Sequence, residues 1–143
     1  MPPYNRQEAC DYIREEVYPP AEDTYLLLKA ALAEARPEDR AMEIGCGGGA
    51  IARQLSSVVQ CLIATDINPH ALRATRSRAG EVPLVRADLF RGIKGRFDLI
   101  LFNPPYLPFR AEERSGKWID RALDGGQSGR VTVGRFLQEL EDH

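Results

Sequence analysis

Ala41-Met42-Glu43-Ile44-Gly45-Cys46-Gly47-Gly48-Gly49-Ala50-Ile51-Ala52-Arg53-Gln54-Leu55 runs from a short apolar segment through a glycine cluster into a helical pattern. A strand over residues 41–45 and a helix over residues 50–55 are expected from it. Glycines at the junction permit positive φ and let a ligand come close to the backbone. A strand that turns sharply into a helix is the repeating unit of a parallel α/β sheet. Alone, the glycine loop suits a dinucleotide, a phosphate or a sharp turn, and it lacks the Gly-Lys-Ser/Thr ending of a nucleotide P-loop.

On either side the alternation continues. Residues 22–35 carry a dense helical pattern of apolar side chains, with Asp23 or Thr24 as expected cap and Pro37 beyond the end. Residues 61–66 read as a second strand, and residues 69–79 as a helix capped by Asn68 with Pro69 in its first turn. Residues 83–88 read as a third strand. Residues 97–102, the most apolar run, suit a strand buried on both faces. The helix beginning near Arg130 follows a long, charged, glycine-bearing connection over residues 110–129, in which Trp118 is expected to anchor the loop. Parallel strands with right-handed crossovers follow, and ligands of such sheets bind outside the carboxyl ends of the strands.

The residues of chemical interest fall at those ends. Asp66 closes the second strand about 20 positions after Gly45, where a carboxylate reaches a bound ribose diol. Asp88 closes the third strand, and Glu43 adds a negative charge beside the glycines. An acidic rim disfavours a pyrophosphate and suits a nucleoside carrying an ammonium and a sulfonium, as S-adenosylmethionine does. The bland reading makes Asp66 and Asp88 helix caps. At the end of the fourth strand stands Asn103-Pro104-Pro105-Tyr106. Its prolines fix φ and hold the residue before each extended, so the Asn103 carboxamide and the following carbonyls form a rigid array beside a flat ring. Such an array can grip a planar nitrogen.

With these motifs the chain resembles the class I methyltransferases, and within them the HemK/PrmC-like glutamine methyltransferases that modify translation release factors. Val17-Tyr18-Pro19-Pro20-Ala21-Glu22-Asp23-Thr24 and Gly125-Gly126-Gln127-Ser128-Gly129-Arg130 look like the short archaeal and eukaryotic branch. The resemblance implies a Rossmann-like sheet and an S-adenosylmethionine pocket lined by Thr24, Glu43, Gly45, Asp66, Asp88, Leu89 and Asn103. It gives Asp66 the ribose, Asp88 and Leu89 the adenine, and Glu43 and Gly45 the methionine end. It makes Asn103, Pro104 and Tyr106 the catalytic grip and Asn103, Pro104, Pro105 and Tyr106 the substrate contacts. A small zinc-binding activator subunit beside the third strand is also implied. Adenine-N6 methyltransferases of nucleic acids share the tetrapeptide and are the rival reading. A cofactor-binding module without turnover is the non-enzymatic one.

Composition bounds these expectations. The 143 residues, 43% apolar and 28% charged, suit one domain over 1–143: an N-terminal helical segment 1–37 and a core 38–143. A net charge of −2 gives no global pull toward a phosphate backbone, and Arg73, Arg76 and Arg78 read as a solvated helix face. Cys10, Cys46 and Cys61 lack paired metal-ligand spacing, so reduced thiols and no metal are expected. With no apolar run of membrane-spanning length and no apolar signal core, a cytoplasmic protein is expected. The resemblance implies further strands after residue 143, so the sheet is expected to be truncated after its fourth strand and following helix. That leaves an open edge, and a dimer through it is expected.

Overall fold

A computed structural model describes residues 16–143. Cys10 and the first part of the N-terminal helical segment lie outside the described residues. Strands β1 (Arg40–Ile44), β2 (Cys61–Asp66), β3 (Leu84–Arg86) and β4 (Leu99–Phe102) form one parallel sheet in the order β3-β2-β1-β4. The helices are α1 (Glu22–Glu34), α2 (Ala50–Leu55), α3 (Pro69–Ala79), α4 (Ile119–Leu123) and α5 (Val131–Glu139).

Strand periodicity divides the core into two layers. Ala41, Leu62, Ala64 and Leu101 meet Leu28 and Ala31 of α1 and Ile51, Ala52 and Leu55 of α2 on one face. Met42, Ile44 and the partly buried Ile100 and Phe102 point the other way, against Phe90 and, from α5 and the turn after it, Phe136 and Leu140. Both faces are covered, which is why β1 and β4 read as nearly unbroken apolar runs. Met42 is 0% exposed, and its burial contributes about 1.5–3 kcal/mol.

Local chemistry sets the element ends. Asn68 Oδ1 accepts the His70 N–H at 2.9 Å, with Pro69 opening α3. At α1 the expected cap is displaced. Ala21 occupies that position, and Thr24 Oγ1 reaches back to accept its N–H at 3.1 Å. The third strand is shorter than residues 83–88, because β3 is an edge that pairs only with β2. Among the described residues β4 is the other edge, pairing with β1 alone. The connection over residues 110–129 holds a 3-10 turn, Ala111–Glu113, and α4, and it is tied back where Leu107 bridges Asp124.

Candidate functional site

One cleft of about 570 Å³ opens over the carboxyl ends of the strands, a size suited to a nucleoside-sized ligand. Every residue expected to bind cofactor or substrate lines it: Thr24 from α1, Glu43 from β1 and Gly45 just after it, Asp66 from β2, Asp88 and Leu89 after β3, and the tetrapeptide after β4. The glycine turn shapes its floor. Gly45 has φ of +69°, and Gly49, at +80°, is pressed so closely on α3 that a Cβ there would lie 2.8 Å from Thr75 Cα. The Thr75 hydroxyl donates to the Gly47 carbonyl at 3.0 Å, fixing the turn against α3.

Asp66 reaches across from β2. Its Oδ2 accepts the Gly47 N–H at 2.9 Å and its Oδ1 the Asn68 N–H at 2.9 Å. Each carboxylate oxygen has a second lone pair, so the group can still accept from a diol. Burial raises the Asp66 carboxyl above its ordinary range, against the pull of these backbone donors. Glu43 is 3% exposed, and its Oε2 is buried with no hydrogen-bond partner. Burial first, and the nearby Asp66 second, push its carboxyl well above the carboxylate range. An orphaned, buried carboxyl oxygen beside a second, half-buried carboxylate is an electrostatic deficit that a cation would relieve.

Two partnerships escape sequence reasoning because they join residues far apart in the chain. Arg135 on α5 forks Asp88, with Nη1 to Oδ1 at 3.2 Å and Nη2 to Oδ2 at 3.1 Å. At the other end Asn103 Nδ2 donates to Asp23 Oδ2 at 3.1 Å. Leu89 adopts φ of +52° while 5% exposed, a left-handed conformation uncommon for a bulky residue. Trp118 does anchor its loop: its backbone N–H donates to Glu16 Oε2 at 2.6 Å, and the Arg86 guanidinium lies 5.6 Å from its ring centroid. Arg73 and Arg76 are exposed on α3. Cys46 is buried, and Cys61 is exposed. No group of three or more candidate metal ligands and no helix long and apolar enough to cross a membrane occurs among the described residues.

Residues 22–123 match the family model described as methyltransferase small domain. The chain is 38% identical over 136 residues to a protein of Methanocaldococcus jannaschii named as an N5-glutamine methyltransferase, covering 92% of this chain and 68% of that protein. Methyltransferase HEMK2 of Homo sapiens is 37% identical over 141 residues, covering 89% of this chain and 66% of its own length. Among solved structures, the E. cuniculi Mtq2–Trm112 complex, described as methylating the eRF1 termination factor, superposes with a TM-score of 0.70 at 34% identity. That match covers 86% of this chain and 68% of the solved one. A ribosomal protein L11 methylase from Lactobacillus delbrueckii shares the fold with a TM-score of 0.64 at 17% identity, covering 89% of this chain and 56% of that one. The chain thus spans about two thirds of the length of its first relatives.

Proposed function

Because the chain belongs to the methyltransferase small domain family, we propose that it serves as an S-adenosylmethionine-dependent methyltransferase of the glutamine side-chain amide of a translation release factor. The observation that carries the reading is the junction of two features in one cleft. A carboxylate-lined glycine turn faces Asn103-Pro104-Pro105-Tyr106, and relatives at 38% identity are named for glutamine N5-methylation.

The residues fit the cofactor. The buried Glu43, with its partnerless Oε2, and the half-buried Asp66 give a cationic ligand two carboxylates. Asp66 would hold the ribose hydroxyls, Asp88 and Leu89 the adenine, and Thr24, Glu43 and Gly45 the methionine end. Bound there, S-adenosylmethionine supplies an electrophilic methyl group on sulfonium. Asn103 Oδ1 and the Pro104 carbonyl would accept the two hydrogens of the target amide, with Tyr106 against its plane. Pro105 keeps that array rigid. This grip turns the nitrogen lone pair toward the methyl carbon. The methyl would pass to that nitrogen, with the carbon–sulfur electron pair left on the thioether and the displaced amide proton lost to solvent water. Positioning and fixed dipoles would supply the rate.

The partnership follows the same relatives. Mtq2 is solved with Trm112, and here Val85, 38% exposed on edge strand β3, would offer apolar surface to a partner subunit of that kind. The outer edge of β4 would take a further strand or a second copy; light scattering with and without the subunit distinguishes these. The test of function is intact-mass and peptide mapping of a release factor incubated with the chain, S-adenosylmethionine and the subunit. One methyl on the glutamine of its Gly-Gly-Gln loop is expected, and Asn103→Ala should cut its transfer to a slow residual rate while cofactor binding persists. Methyl transfer to adenine in nucleic acid and none to the release factor would favour the rival acceptor.

A further inference from the structure

A primary carboxamide has two chemically opposite ends, and only one of them can accept the hydrogens of an acceptor amine or amide. Asn103 could present either by a half-turn about its last torsion, so a site built on its oxygen needs something to choose the rotamer. Asp23 makes that choice. A carboxylate only accepts, so the Asn103 amide must turn Nδ2 toward it, at 3.1 Å, and the flipped form would set oxygen against oxygen. Asn103 Oδ1 accepts no hydrogen bond among the described residues. Asp23 is itself held: its Oδ1 accepts the Thr24 N–H at 2.9 Å in the first turn of α1, which is packed against the core through Leu28 and Ala31. Its neighbours complete the wall. The Tyr18 hydroxyl is raised above its ordinary range by burial, then by Asp23 and Tyr106, so Tyr18 lies within electrostatic reach of both Asp23 and Tyr106. Asp23, Tyr18, Asn103 and Tyr106 all line the cleft.

We infer that Asp23 is a positioning residue that acts through Asn103, fixing the carboxamide with Oδ1 presented to the acceptor nitrogen. The inference rests on the methyl-transfer reading for its consequence, but its geometry can be read separately. A charge-assisted hydrogen bond is among the stronger ones, and an amide rotamer left free would present the wrong end to the substrate for much of the time. The loss therefore falls on the transfer step rather than on cofactor binding.

The test is a double-variant cycle with two readouts. In single-turnover transfer to the release factor, Asp23→Ala is expected to slow the reaction about 10- to 100-fold, a range typical of lost preorganisation at a reacting group. Cofactor affinity should stay within about twofold, and Asp23→Asn, which keeps an acceptor oxygen, should recover part of the rate. Adding Asp23→Ala to Asn103→Ala should cost nothing further, because Asp23 has lost the group it acts through. An additive double variant, or a loss of cofactor affinity matching the loss of rate, overturns the inference. The second readout needs no turnover. The Asn103 side-chain amide protons, assigned by their loss in Asn103→Ala, should be slowed in exchange in the wild-type chain and released in Asp23→Ala. If the amide signature responds to Asp23 but no release factor is methylated, the acceptor assignment fails and the positioning role stands. If it does not respond, the positioning role falls, whatever the acceptor.

Discussion

At the scale of single residues, the site stores unfavourable charge. Glu43 and Asp66 are both raised by burial, and Glu43 further by Asp66 itself, so the folded chain without ligand holds protons there that the unfolded chain would release. The linkage sign follows. For an acid whose folded pKa lies above its unfolded value, the folded state binds more protons between those two values, so stability falls as pH rises through that window. Glu43→Gln removes the acid and keeps its shape. The variant should be no more stable than wild type below the unfolded carboxylate range and more stable near neutrality. Paired urea titrations at acidic and neutral pH check this, and an unchanged pH slope would remove Glu43 as its source. The same variant should bind S-adenosylmethionine more weakly, because the cation then faces a neutral amide.

At the scale of elements, legibility followed the range of the interaction. Helices α2 and α3 and strand β2 begin and end where the sequence places them, since glycine, Asn68 and Pro69 act within a few residues of the boundary they set. That Glu43, Asp66, Asp88 and Asn103 collect at one edge of the sheet was also legible, because the topology of a parallel sheet brings its strand ends together, although Asp88 lies two residues beyond β3 rather than closing it. The contacts of Asp23 with Asn103 and Arg135 with Asp88 were not, for they depend on how α1 and α5 pack. Nor was α4, a short helix in a charged connection whose ends are tied by the Leu107–Asp124 bridge. The glycine turn itself allows a firm expectation. Gly49→Ala places a Cβ at positive φ and against the Thr75 backbone, which cannot yield as a flexible side chain would. It should destabilise the chain by about 2–4 kcal/mol, the sum of left-handed strain and overpacking. Chemical denaturation measures this, and a loss under about 1 kcal/mol would mean that α3 shifts to make room.

At the scale of the whole molecule, the Asp88 end of the cleft, proposed above for adenine, is built by tertiary packing rather than by a motif. Phe136 of α5 lies 5.7 Å from the Phe90 ring centroid and 4.9 Å from that of Phe102, while Phe90 also stacks on His143 at 4.4 Å. This aromatic stack seats α5 on the second face of the sheet. The next residue back, Arg135, then meets Asp88, and Glu139 one turn later accepts the Phe90 N–H at 3.4 Å. Arg135 and Asp88 are both partly exposed, so their ion pair adds little stability by itself. Its part is to orient Asp88, and it can do so only while α5 is seated. Phe136→Ala should therefore act twice. It should cost about 1–3 kcal/mol of stability, less than a fully buried phenylalanine because the ring is only partly buried. It should also weaken cofactor binding, although Phe136 does not line the cleft. Arg135→Ala should reproduce the change in cofactor affinity with little change in melting temperature. Thermal melts with and without S-adenosylmethionine separate the two effects. A Phe136→Ala chain that melts lower yet binds the cofactor as tightly as wild type would show that α5 supports the sheet without shaping the Asp88 end of the cleft.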